Sequence, residues 1–238
     1  TVVGSVSGDL VVEGCCVRGG KIGILGTNSS TTLASMCDIH SCTHAVSAQR
    51  QAYMSLSSCH AFASVCGVAS TDVGSQIAVR DSDIDYCGQV GIMISSGAEG
   101  LVEGSSICNN GVGGVCVSGG SKIVVQRSRM CGNGKLGVCI VKGSSALLHY
   151  CDLRANGTPL CGVYISPSSL SNVSWEGLEL DCPVYTPEDD EGLGFVYSGG
   201  DGVDEDDDDP TPAADLTPTD VQDGANGKAN GKEEGLEE

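Results

Sequence analysis

Asp38, His60 and Asp83 are separated by 22 and 23 residues, and chemistry follows if the chain repeats with that period. A repeat would stack the three side chains as carboxylate, imidazole, carboxylate, about 5 Å apart on neighbouring strands. An imidazole between two carboxylates can take or return a proton, so Asp38, His60 and Asp83 form the candidate catalytic column. His40 and Asp85, two residues further along their strands, widen the same face. The run Asp81-Ser82-Asp83-Ile84-Asp85 sets three carboxylates at alternate positions, a pattern from which two could share a hard cation. Arg127 and Arg129 could clamp an acidic substrate. His40, Asp81, Asp85, Arg127 and Arg129 are therefore the candidate binding residues. No motif calls for a resident metal or a cofactor. Hydrolysis of a uronic-acid polymer needs close paired carboxylates, and no Asp-Asp pair occurs within the repeats.

The elements that must position these residues are written in the spacing. Gly23-Ile24 returns as Ala45-Val46, Gly67-Val68, Gly91-Ile92, Gly114-Val115, Gly137-Val138 and Gly162-Val163. A second column, Cys15, Cys37, Cys59, Ser82, Ser105, Ser128 and Cys151, runs in step. Apolar residues stand three before and two after each anchor, and Asn110, Asn133 and Asn156 stand five after the last three anchors, Ser105, Ser128 and Cys151. Period-2 alternation over four to six residues marks strands, and small or Asn-Gly pairs mark turns. Three short strands in about 23 residues build one rung of a parallel β-helix, and a period of this length marks a solenoid. The sequence predicts an all-β, right-handed parallel β-helix of seven to eight rungs over 1–187. Anchors fall near 15, 37, 59, 82, 105, 128 and 151, with an irregular rung near 176. Stacked turn asparagines should bond along the ladder. Trp175 and Leu178 are assigned to the irregular rung, and Phe195, Val196 and Tyr197 to a cap on the open end.

The units Ser105-Ser106-Ile107-Cys108-Asn109-Asn110-Gly111 with Gly114-Val115-Cys116-Val117, and Ser128 to Asn133 with Gly137 to Ile140, carry a family resemblance. They resemble the right-handed parallel β-helix, pectin-lyase-like superfamily, and within it the repeats of β-helical F-box proteins and of carbohydrate-handling β-helix proteins. The likeness covers about residues 9–180. It implies either a recognition module that holds a protein partner, as the substrate-capturing part of a ubiquitin-ligase-like protein, or a polysaccharide lyase, hydrolase or sugar-binding module. No F-box segment is present. Few aromatic residues are available to stack on sugar rings, which favours the recognition module; the carbohydrate-active β-helix is the alternative.

Charge divides the chain. Residues 188–238 hold 18 Asp and Glu against two Lys, whereas residues 1–187 hold 13 acids against 10 bases. The run from Asp204 to Asp209 with its Pro, Thr and Gly neighbours predicts a disordered acidic tail. Nucleic acid is not an expected partner, because phosphate binding needs clustered Lys or Arg. No apolar run is long enough to span a membrane, so none is expected as a partner. Fourteen cysteines would suggest a disulfide framework, yet Cys15, Cys37, Cys59 and Cys151 trade places with serines in one column. That is the behaviour of small packing residues, and it favours a reducing compartment, cytoplasmic or nuclear, over secretion. The chain begins at Thr1 and enters a rung almost at once, as a fragment of a longer protein would.

Overall fold

The computed structural model describes residues 1–141, 143–162 and 170–171. All of them belong to one compact unit, Thr1–Val196. The expected acidic tail, the irregular rung at Trp175 and Leu178, and the cap at 195–197 lie outside the described residues.

Every strand pairs in parallel with its counterpart one repeat away. Sheet A has eight strands, from Val3–Ser5 and Ile22–Gly26 to Thr158–Gly162. Sheet B also has eight, from Asp9–Glu13 to Leu170–Ser171. Sheet C has five three-residue strands, Cys16–Arg18, Asp38–His40, His60–Phe62, Asp83–Asp85 and Ser106–Cys108. Single bridges continue it from Ser106 to Arg129 and on to Asp152. Each repeat therefore runs long strand B, short strand C, long strand A, which is the expected all-β parallel solenoid.

Alternation decides which side chains meet inside. Val12, Leu56 and Val79 of sheet B, Val17, Ile39 and Ile84 of sheet C, and Ile24, Val68 and Ile92 of sheet A all join one buried core. Burying an aliphatic side chain of this size is worth roughly 1.5–3 kcal/mol, and the stack makes that core continuous from rung to rung. The Gly-Val ladder has a steric origin. A Cβ at Gly67 would lie 2.5 Å from the carbonyl oxygen of Gly91 and 2.5 Å from Ile84 Cγ2.

The corners are built from left-handed residues. Between sheets B and C the column Gly14, Met36, Ser58, Asp81, Gly104, Arg127 and Tyr150 has φ between 48° and 60° throughout. Between C and A the column Gly19, Ser41, Ala63, Tyr86, Asn109, Gly132 and Ala155 has φ between 48° and 75°. One such residue turns an extended chain sharply, at a cost of order 1 kcal/mol for a non-glycine. Inter-rung bonds offset that cost: the N–H of Met36 donates to Ser57 O, that of Asp81 to Glu103 O, and that of Arg127 to His149 O. The B–C corner always has two residues between strands, whereas the other corners vary in length.

The anchor column shows why Cys and Ser interchange. Ser82, Ser105 and Ser128 donate their hydroxyls to the carbonyl two residues back at 2.6, 2.8 and 2.8 Å. Cys37, Cys59 and Cys151 donate their thiols to the same carbonyl at 3.1, 3.4 and 3.3 Å. The hydroxyl oxygens also accept from the preceding rung: Cys59 N donates to Ser82 Oγ at 3.1 Å and Ser82 N to Ser105 Oγ at 3.2 Å. The expected asparagine ladder is present, with Asn110 and Asn133 buried. Asn156 Nδ2 donates to Met130 O and Leu153 O, both at 2.6 Å, so its amide is used within the stack.

Candidate functional site

The outward positions of sheet C are the first and third residues of each short strand. Register places Asp38 beside His60 and His60 beside Asp83. The neighbouring column runs His40, Phe62, Asp85. The two candidate columns thus share one exposed face, as the spacing predicts.

Bonding on that face follows a diagonal. His60 Nε2 lies 2.8 Å from Asp85 Oδ1, one strand over and one column across. The side chains keep 40% and 23% of their exposure, so the pair is open to solvent. Phe62 fills the space beside it. Its ring stacks on His60 with centroids 4.3 Å apart and on His40 at 4.7 Å, with interplanar angles of 24° and 21°. The far side of His40 is also engaged: Nε2 lies 3.6 Å from Cys16 Sγ, and Nδ1 lies 3.0 Å from Ser41 Oγ. The face therefore carries a chain of contacts Cys16, His40, Phe62, His60, Asp85. Ring packing holds both imidazoles, and a carboxylate fixes the orientation of His60.

Asp38 and Asp83 flank His60 by register, but the imidazole's hydrogen bond goes to Asp85, which the sequence placed among the binding residues. Arg129 continues the His60 column through Asp83 and Ser106, three strands or roughly 14 Å away. Asp81 and Arg127 do not share the face. Both sit in the left-handed B–C corner, two residues before the first outward position of sheet C. Asp81 Oδ1 packs over Gly104, where a Cβ would come within 2.5 Å of it. Arg127 bonds Glu103, whose carboxylate also lies 3.8 Å from Arg80 Nε. That corner position explains why Asp81, Asp83 and Asp85 do not converge as a cation site. Among the described residues no group of three or more His, Cys, Asp or Glu is placed to hold a metal ion.

Phe62 is the residue that spacing did not single out. It is the one ring in a column otherwise occupied by Arg18, His40, Asp85 and Cys108, and its place between two histidines at i−2 and one rung below was the available signal. At the other end of sheet C, Arg154 binds Asp152 through two 2.8 Å contacts, which hold the Asp152 carboxyl well below the usual carboxylate range. Burial raises the Cys131 thiol, and the charge of Asp152 adds to that. A surface depression of about 220 Å³ lies on the outer face of sheet B, lined by Tyr53, Gln76, Arg80 and Glu99 among others, and includes none of the His60 group.

Comparison with known proteins supports the architecture. The family model described as a right-handed β-helix region matches residues 66–174. The crystal structure of the periplasmic alginate epimerase AlgG superposes with a TM-score of 0.53 at 19% identity, over 69% of this chain and 43% of that one. A mutant of the same epimerase gives 0.54 at 19%, over 71% and 44%. The chain thus spans less than half the length of these structures. At this identity the likeness establishes the fold. No curated protein sequence matches.

Proposed function

We propose, from a chain that is a right-handed parallel β-helix, that it is a carbohydrate-active β-helix whose sheet C face binds a polysaccharide. The observation that carries the proposal is the His60–Asp85 pair at 2.8 Å, packed against Phe62 on an open face. The stacked rings of His40, Phe62 and His60 together offer a mixed apolar and polar surface against which a sugar can pack. The carboxylates of Asp38, Asp83 and Asp85 supply acceptors for sugar hydroxyls. His60, oriented by Asp85, is the group able to take or give a proton to bound sugar. The solved structures noted above include an alginate epimerase, which favours this reading over a protein-recognition or ubiquitin-ligase role.

The test is calorimetric titration of the full chain with two oligosaccharide series, one of uronic acids and one neutral. Binding to either series, weakened in His60→Ala and Phe62→Ala with the fold intact by circular dichroism, is the expected result. If neither series binds, or if both variants bind as the parent does, the proposal falls. Solvent deuterium incorporated into the bound sugar by the parent and not by His60→Ala would add catalysis to binding.

A further inference from the structure

We infer that Cys16 is a modification site: a thiol whose addition to soft carbon electrophiles, conjugated carbonyl compounds in particular, is assisted by His40. The assignment is independent of what the sheet C face binds. Among the cysteines whose side chains the structure describes, only Cys15 and Cys16 are exposed; Cys131 is partly so and the others are buried. The two neighbours differ in one respect. Cys15 Sγ donates to Glu13 O at 3.2 Å, the anchor-column arrangement in which the thiol proton is committed to the backbone. Cys16 points the opposite way, out of sheet C, with Sγ 3.6 Å from His40 Nε2.

The imidazole is held for this contact from two sides. Phe62 stacks on its face at 4.7 Å, and Ser41 Oγ lies 3.0 Å from Nδ1. When Ser41 accepts the Nδ1 proton, Nε2 presents its lone pair to the thiol. Nucleophile, base and a group orienting the base are then in contact order, the arrangement that activates cysteine for covalent chemistry. Cys16 and His40 belong to paired strands at diagonal positions, so the backbone ladder fixes their separation.

The step balances within the pair and the electrophile. As sulfur attacks the β-carbon of a conjugated carbonyl compound, the thiol proton passes to Nε2 and a new S–C bond forms. The C=C electron pair moves on to the carbonyl as an enolate. The imidazolium returns the proton to the α-carbon, leaving a thioether and a neutral His40. No oxidant or reductant is consumed.

N-ethylmaleimide is the probe. The protein is treated with limiting reagent between pH 6 and 9, digested, and the adducts on Cys15 and Cys16 are quantified by mass spectrometry. The expected result at pH 6.5 is labelling of Cys16 at least about tenfold faster than Cys15, a conservative share of what a positioned base contributes. The advantage should shrink towards pH 9, where hydroxide in solution competes with the positioned base. His40→Gln should bring the two rates together, whereas His149→Gln, a histidine on sheet B outside this chain of contacts, should not. Equal labelling of Cys15 and Cys16 in the parent protein overturns the inference without any variant. So does a His40→Gln protein, folded by circular dichroism, that keeps the parent's rate ratio and pH profile.

Discussion

Asn133 Oδ1 accepts two hydrogen bonds from Asn110, one from its backbone N–H at 3.0 Å and one from its side-chain amide at 3.1 Å. The Asn133 amide in turn donates to Ile107 O and Asn156 Oδ1, both at 3.1 Å. One side chain thereby ties the C–A corner of the preceding rung to that of the following rung. Asn133→Ala leaves the buried Asn110 N–H and the Ile107 carbonyl without partners. Each such group costs roughly 1–3 kcal/mol, so urea denaturation should show a loss of about 2–4 kcal/mol. Asn133→Ser should lose less, because Ser64 occupies the same column and its hydroxyl accepts from Cys42 N at 3.2 Å.

The glycine ladder gives a steric prediction. Gly67→Val should lower stability by about 1–3 kcal/mol or more through overpacking against the next rung. Gly67→Ala should be milder, since Ala45 is accommodated at the equivalent position. Equal and small losses for both would show that the ladder relaxes.

Stability should depend on pH through His44. Burial pushes its imidazole down, and the Lys21 charge adds to this. The unfolded chain then binds that proton more readily than the folded one. The associated stability is present above the ordinary histidine value near 6.5 and is lost as pH falls through it. Melting temperatures at pH 7.5 and 5.5 should fall further in the parent than in His44→Gln. An unchanged difference would remove His44 from the linkage.

Thiol accessibility should follow the columns. Burial pushes Cys66 up to about 12 and Cys87 up to about 11. Neither should react with a thiol-disulfide reagent in the native protein at pH 8, and both should react promptly in denaturant. Labelling of Cys66 under native conditions would reveal local opening of sheet A.

On the sheet C face, Phe62→Ala should weaken binding of the cognate oligosaccharide at least about tenfold, or 1.4 kcal/mol. Asp85→Asn keeps the size of the side chain and removes its charge. Under the proposed function it should reduce any His60-dependent deuterium exchange into bound sugar more than it reduces binding, and measuring exchange beside affinity separates the two.

The fold was legible because each inward column repeats one residue class: Val12 to Leu148 in sheet B and Val17 to Leu153 in sheet C read as apolar in every rung. Outward residues carry no such redundancy. Register correctly set Asp38 and Asp83 beside His60, but register fixes Cα neighbours, and a histidine reaches far enough to choose the diagonal Asp85. Alternation alone assigns Asp81 and Arg127 to the same side as Asp83 and Arg129, whereas both sit at the corner. Gly14 and Gly104, in their column, were the mark of a left-handed corner where alternation stops. Phe62 is hard to single out from sequence because its stacking partners are histidines, which no aromatic stripe would include.

The unequal corners have a consequence for how such a chain can change. Between sheets A and B four residues usually intervene, but 71–75 supply five, and the strands beyond that point remain in register with those before it. An extra residue there is absorbed as a local bulge, like a slack link in an otherwise taut chain. The two-residue corner between B and C has no such slack. Sequence length can therefore drift on two edges of the prism while the face bearing His60 and Asp85 stays locked to sheet B. Inserted loops would alter what surrounds that face and leave the spacing of its side chains untouched.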